Sequence, residues 1–377
     1  MKYRKFEAAN ADISLLGFGA MRMPLIEGSD AVDEEEAIKM IRYAIDNGVN
    51  YVDTAYVYHS GKSEVIVGKA LADGYREKVF LATKLPFWIC KNKDEIEPMF
   101  EKQLSKLNMD QIDMYLVHDI NEQRLKTVNE WKIWDILNKK RDEGKIRYIG
   151  FSTHPESVEG FKEILDSYPW DFCQIQLNYM DTDIQVGLEG YEYAAAKGIP
   201  IIIMEPLKGG NLTDFVPPTV QSIWDSLEQK RSPADWAFRW VANLPGVLTI
   251  LSGMSNMAQL EENIRILSDA EADSLTKEEL VAIDHVADEY KKMIVYQCTG
   301  CKYCLPCAVE INIPEIMDFR NSHACYGLTK MLSNQYTLWL PHKASECIEC
   351  GQCENLCPQH LDIMRIMKET AELYEAQ

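Results

Sequence analysis

Between residues 17 and 268 short apolar runs alternate with longer amphipathic stretches. Eight such runs lie at 17–21, 52–54, 79–84, 112–118, 148–152, 172–178, 199–205 and 248–253, mostly ending in polar residues. Between them, the stretch 35–47 repeats Ile38, Ile41 and Ala44 with Ile45 at helical spacing, and 63–72 opens on a Ser/Glu start signal. Eight strand-then-helix units predict α/β architecture with a parallel sheet closed on itself, a (β/α)8 barrel. Ahead of the first unit, 3–6 and 12–16 flank an Asn/Asp turn and predict a hairpin that caps the bottom of the barrel. Two stretches, 182–187 and 211–232, read as insertions, the second rich in Pro and polar residues. Such loops often cover active sites, and more often simply run over the surface.

The residues closing the runs bring in the chemistry. Asp53 ends the second run's strand, Lys84 the third and His118 the fourth, while Tyr58 lies five residues past Asp53 on the loop that strand starts. In a β/α barrel these strand ends converge on one face, so the four side chains are expected in one mouth. A tyrosine ordinarily titrates near 10, and a neighbouring ammonium favours its phenolate, drawing it toward the working pH for acid–base catalysis. Asp53 can hold Lys84 charged and in place, and a neutral His118 can hydrogen-bond a substrate carbonyl oxygen. The plainer alternative is an Asp53–Lys84 ion pair beside a rim aromatic. Four chemically suited residues at the barrel's strand ends favour the site.

Eight of the 11 cysteines fall in two runs near the end, CTGCKYCLPC at 298–307 and CIECGQCENLCP at 347–358. A single zinc ion needs two CxxC pairs a dozen or more residues apart, whereas these runs are continuous. Cys347, Cys350 and Cys353, followed by Cys357 and Pro358, match the bacterial ferredoxin run that wraps a [4Fe–4S] cube and lends its fourth cysteine to the other cube. By that rule Cys298, Cys301 and Cys304 share one cube with Cys357, and Cys347, Cys350 and Cys353 share a second with Cys307. The first run departs from the pattern, with two residues rather than three before Cys307 and Ala308 where proline is usual. Cys90, Cys173 and Cys325 stand alone and read as small buried apolar side chains.

Charge and length narrow the class. A formal charge of −20 argues against nucleic acid and anionic lipid as partners, since both recruit basic patches. No stretch approaches 18 apolar residues, so no membrane span is expected, and no apolar run before Leu15 suits a secretory signal. Thiols in this number call for a reducing compartment, which points to the cytoplasm. With 377 residues, 46% of them hydrophobic, the chain can bury one large core and append a small domain.

The strings YVDTAYVYHSGKSE, FLATKL and YLVH resemble the Asp, Tyr, Lys, His tetrad of the aldo-keto reductases. The likeness continues in order through EGKIRYIGFSTH, CQIQLNY, IIIMEPLKGG and LSGMSNMAQLEEN, covering about residues 1–290. With the cysteine runs, the whole chain resembles the bacterial subgroup carrying a ferredoxin-like C-terminal domain. The implied division is a barrel at 1–290 and an α-rich two-cluster domain at 291–377. Thr276 and Glu279 read as a capping box opening the last barrel-associated helix, and further helices are expected to begin near 311–314 and 360–362.

The resemblance also implies a nicotinamide cofactor across the barrel mouth. It places Ser152 and Gln174 on the carboxamide, Leu207, Lys208, Gly209 and Gly210 near the pyrophosphate, and Ser255, Gln259, Glu262 and Asn263 at the adenosine end. Gly19 and Met21, with Gly17, line the exit of the first strand. Where many members set an aromatic ring against the nicotinamide, this chain has Met204, with Glu205 in place of a serine. Residues 252–263 contain no basic side chain to receive a 2′-phosphate, which tilts NAD(P)H toward NADH, although Arg265 or another arginine could reverse this.

The implied activity is reduction of a small-molecule aldehyde or ketone to an alcohol, with Tyr58 as general acid. Phe87, Trp88, Tyr179, Trp224 and Tyr296 are candidate substrate walls by position and bulk. A cube passes one electron at a time and a nicotinamide two. The clusters are then structural or redox-sensing in the main reading. In the alternative they relay electrons between a ferredoxin-like protein partner and a barrel-bound cofactor or substrate. A regulatory binding protein on a barrel without chemistry is disfavoured by the intact tetrad.

Overall fold

The structure, a computed structural model, describes every residue except Asp30, Thr299, Cys301, Ala376 and Gln377. Strands β1 (Tyr3–Phe6) and β2 (Ala11–Ser14) form the expected antiparallel hairpin. Its turn ends on Asn10 at φ 48°, a left-handed conformation that Asn tolerates better than most residues. Eight parallel strands then close a barrel in chain order: β3 (Leu16–Gly19), β4 (Tyr51–Asp53), β5 (Phe80–Leu85), β6 (Ile112–Val117), β7 (Ile146–Thr153), β8 (Phe172–Gln176), β9 (Ile201–Met204) and β10 (Val247–Ser252), which pairs back onto β3. Each run read from the sequence is one of these strands, its ends moved by a residue or two.

Side chains two apart on a strand share a face, and this periodicity links the core to the mouth. Tyr51, Ala82, Met114, Leu116, Phe172 and Ile202 form one buried cluster with Phe6 and Ile13 of the hairpin, which plugs the barrel from below. Two residues further along the same strands stand Asp53, Lys84, His118, Gln174 and Met204. The stripe that fills the core therefore ends in the chemistry. Gly150 on β7 faces Phe172 on β8, and a β-carbon there would lie 2.5 Å from the Phe172 ring, so only glycine leaves the ring its place.

The outer helices are amphipathic for the same reason. Glu34–Asp46 buries Ala37, Met40, Ile41, Ala44 and Ile45 on one side and is capped by Asp33, whose carboxylate accepts from the Glu36 amide at 3.1 Å. Each large apolar side chain so buried contributes about 1.5–3 kcal/mol.

The chain divides into two compact units, Met1–Pro206 with Asp235–Leu275, and Leu207–Ala234 with Thr276–Gln377. The insertion at 211–232 thus groups with the second unit, where it forms the helices Asn211–Asp214 and Pro218–Ser226. Helix Lys277–Lys292 opens on the capping box of Thr276 and Glu279. Helices Ile313–Tyr326, Lys330–Trp339 and Ile363–Tyr374 enclose a separate core of Ile313, Ile316, Met317, Phe319, Tyr336 and Ile366, with Tyr336 stacked on Tyr374 at 4.5 Å. Cys298, Cys304, Cys307, Cys347, Cys353 and Cys357 pack against this core. Among the described residues no helix is long and apolar enough to cross a membrane.

Candidate active site and cysteine hollows

Lys84, fully buried at the end of β5, organises the mouth. Its Nζ donates to Asp53 Oδ1 at 2.5 Å, to the Thr54 carbonyl at 2.9 Å and to Tyr58 Oη at 3.3 Å, using all three of its protons. Burial alone would lower its pKa, but the charges and hydrogen bonds of Asp53 and Tyr58 more than offset this and hold it above the usual lysine value. Burial in turn raises the Asp53 carboxyl against the pull of Lys84. Neither group would be stable there without the other.

Tyr58 differs from the sequence expectation in one respect. Lys84 does pull its pKa down, yet burial outweighs that pull, Asp53 and Glu205 add to the rise, and the net shift is upward. The hydroxyl therefore keeps its proton throughout the neutral range, the state a donor requires. His118 stands edge-on to the Tyr58 ring, with centroids 6.1 Å apart and planes at 86°. Burial, then the positive charges of Lys84, His154 and Arg124, hold its imidazole well below the usual value, so it is neutral. Its Nδ1 is buried without a hydrogen-bond partner among the described residues.

Several participants were not legible in the sequence. Trp88, named there only for bulk, packs on His118 at 4.9 Å, and the Arg124 guanidinium lies over the Trp88 ring at 4.6 Å while pairing with Asp119. Behind Lys84, Glu64 accepts from Thr83 and from Gln103, both at 2.8 Å. Gln103 also donates to the Lys84 carbonyl at 2.9 Å and accepts from Tyr115 at 2.7 Å. These residues lie on surrounding helices and neighbouring strand positions. Only Glu64, in the helix start that closes the tetrad string, carried a local signal.

The residues assigned to a cofactor fall into three groups. On the barrel wall, Gln174 keeps its buried Oε1 without a partner among the described residues, while its Nε2 approaches the Met204 sulfur at 3.6 Å. That orphaned acceptor suits an amide donor such as a carboxamide. Ser152 lies beside it on the adjoining strand, its Oγ accepting from the Asp119 amide at 3.0 Å. Around β10, Asn263 donates to Ser252 Oγ at 3.0 Å, Ser255 donates to the Arg22 carbonyl at 3.1 Å, and its amide donates to Gln259 Oε1 at 2.8 Å. Glu262 pairs with Arg265 at 3.7 Å. Gly19 packs on the Ser252 carbonyl, Met21 is exposed, and the stem of Arg22 lies across Gly253. A basic residue therefore stands beside a loop that has none of its own.

Leu207, Lys208, Gly209 and Gly210 form a tight turn, with Gly209 at φ 69° and Gly210 at φ 102°, that belongs to the second unit rather than to the unit holding the tetrad. Trp224 and Tyr296 are likewise buried in that unit, whereas Phe87, Trp88 and Tyr179 belong to the barrel unit.

The cysteine runs line two hollows. One, of about 340 Å³, is bordered by Cys298, Cys304 and Cys357. The other, of about 410 Å³, is bordered by Cys304, Cys307, Cys347, Cys350 and Cys353. Each hollow thus takes cysteines from both runs, and Cys304 borders both. Cys301 lies outside the described residues. The donor set of several thiols against an apolar wall suits a cluster of iron and sulfide. Cys90, Cys173 and Cys325 are buried and, among the described residues, paired with no other cysteine.

The model of the aldo/keto reductase family matches residues 15–288, and that of a 4Fe-4S dicluster domain matches 297–362. L-galactose dehydrogenase of Arabidopsis thaliana is 25% identical over 300 residues, 74% of this chain and 92% of its own. A probable aldo-keto reductase of Glycine max is 29% identical over 68% of this chain and 82% of its own. Among solved structures, the holo form of an aldo-keto reductase from Bacillus halodurans superposes with TM-score 0.62 at 25% identity, covering 76% of this chain and 96% of that one. An aldo-keto reductase from Klebsiella pneumoniae in complex with NADPH does so at 0.61 and 23% identity, a likeness of fold, over 76% and 95%.

Proposed function

The chain belongs to the aldo/keto reductase family, and from that premise we propose that it reduces the carbonyl of a small aldehyde or ketone to an alcohol, with Tyr58 as the proton donor. The observation that carries this reading is the buried triangle of Asp53, Lys84 and Tyr58 beside a neutral His118. A nicotinamide bound over the mouth would supply the hydride. The chain's own residues do the rest. Lys84, held charged by Asp53, lowers the cost of the negative charge left on Tyr58 Oη when its proton moves to the developing alkoxide. His118 offers a neutral ring to the same oxygen. Gln174 Oε1 and Ser152 orient the carboxamide, and the barrel wall below excludes water.

For the cofactor, the absence of basic residues at 252–263 favours NADH, while Arg22 beside Gly253 weighs toward a 2′-phosphate. We read the cysteine hollows as seats for two [4Fe–4S] cubes, one held by Cys298, Cys301, Cys304 and Cys357, the other by Cys307, Cys347, Cys350 and Cys353. Such cubes store single electrons. A second reading, in which they feed electrons from a protein donor to the barrel, draws support from the shared lining of the hollows by Cys304, Ile313 and Ile363.

Anaerobic purification, iron and sulfide analysis, and titration with NADH and NADPH against a panel of aldehydes and ketones test both. Carbonyl-dependent oxidation of either nucleotide supports the reductase. Oxidation of neither, in protein shown to be folded, overturns it. In folded Cys350→Ser protein, nucleotide-driven turnover persists under the first reading and vanishes under the second.

A further inference from the structure

The two hollows are alike in thiols and unlike in charge. The one bordered by Cys298, Cys304 and Cys357 also includes Lys302 and Gln359 in its wall. Among the described residues the other has, apart from its cysteines, only apolar side chains, a glycine and Gln352. The sequence repeats the contrast: the first run, CTGCKYCLPC, carries a cation and no anion, whereas the second, CIECGQCENLC, carries Glu349 and Glu354 and no cation. Lys302 and Glu349 each adjoin the middle cysteine of their runs, Lys302 just after Cys301 and Glu349 just before Cys350. Both hold left-handed backbone, φ 64° and φ 52°, which a side chain larger than Asn adopts at some cost. Glu354 follows Cys353 directly.

Reducing a cube adds one negative charge to it, so a nearby cation raises its potential and a nearby anion lowers it. We propose that Lys302 makes the hollow of the first run the electron-holding end of this domain. With cubes bound, an electron given by a one-electron reductant would come to rest on the one that Cys298, Cys304 and Cys357 would hold, leaving the one that Cys307, Cys347, Cys350 and Cys353 would hold oxidised. The path is short because Cys304, Ile313 and Ile363 border both hollows. Solvent screens an exposed lysine, so the bias is moderate.

This inference rests on the two-cube reading, and one experiment separates their fates. The full-length protein, purified anaerobically and assayed for iron and sulfide, is titrated with dithionite while electron paramagnetic resonance follows each reduced cube. Two waves are expected. In Lys302→Gln the more positive wave moves down, with a several-fold lower reduced fraction at fixed ambient potential, while the other stays. Lys302→Glu moves it further, and Lys302→Arg leaves it at the wild-type position. Should the lysine variants lose iron, Glu349→Gln, which is expected to raise the more negative wave, carries the test. Protein with its full iron content whose waves stay put, or shift together, overturns the role of Lys302. Protein that never yields two cubes overturns the reading beneath it.

Discussion

Replacing Tyr58 with Phe removes one oxygen from the centre of the mouth, and the structure separates its effect on stability from its effect on rate. Lys84 loses the longest of its three hydrogen bonds, at 3.3 Å, and keeps Asp53 at 2.5 Å and the Thr54 carbonyl at 2.9 Å. The buried ammonium stays paired, so the stability cost is that of one hydrogen bond, about 1 kcal/mol. The ring of Tyr58 remains to pack against His118. With the proposed proton donor gone, turnover is expected to fall roughly 10²–10⁴-fold, or about 2.7–5.4 kcal/mol in the barrier. Cofactor affinity is unaffected, because no contact assigned to the nicotinamide runs through the hydroxyl. The assay follows carbonyl-dependent oxidation of reduced nicotinamide under anaerobic conditions, alongside a thermal melt and a cofactor titration by tryptophan fluorescence. A Tyr58→Phe protein that melts near wild type and turns over at the wild-type rate would falsify the assignment.

Other outcomes follow from the same geometry. His118 is neutral when folded, its pKa far below the ordinary value near 6.5, so as pH falls through that value the unfolded chain gains a proton that the folded barrel refuses. Thermal stability should therefore drop below about pH 6.5 more steeply in wild type than in His118→Gln, and parallel melting curves against pH would contradict this. Gly150→Ala should destabilise the barrel by about 1–3 kcal/mol through its clash with Phe172, and Phe172→Leu should relieve it; a Gly150→Ala melt matching wild type would show that the ring can move aside. Cys357→Ser should cost the cube shared with Cys298 and Cys304, despite lying in the second run. Resonance spectra in which it mimics Cys347→Ser would refute the crossed arrangement.

The barrel was legible because its two requirements are local. Each strand is a short apolar run and each helix an amphipathic repeat, so Ile38, Ile41 and Ile45 or the run ending at Lys84 disclose their element without knowledge of the rest. The tetrad was legible too, since the strand ends of a closed parallel barrel share one rim whatever their separation along the chain. The cysteine runs were legible through spacing, and the described cysteines of both runs meet around two hollows, with Cys304 bordering each. What escaped was lateral. Arg124 over Trp88 and Trp88 on His118 join two connections that no periodicity relates, and the Gln103 support of Lys84 reaches from a helix into the barrel wall. The fate of 207–234 also escaped, because a polar, Pro-rich stretch carries no mark of the unit with which it will group.

By itself the sequence determined which elements form, in what order they close, and which residue types meet at the rim and around the thiols, because periodicity and spacing are properties of neighbours along a chain. Only the tertiary structure decided the state of those residues. Burial sets Tyr58 firmly protonated against the pull of Lys84, empties His118 of its charge, and leaves Gln174 with an unanswered acceptor. Each depends on how much water is excluded and which charges lie across the gap, quantities that exist only once distant segments have packed together.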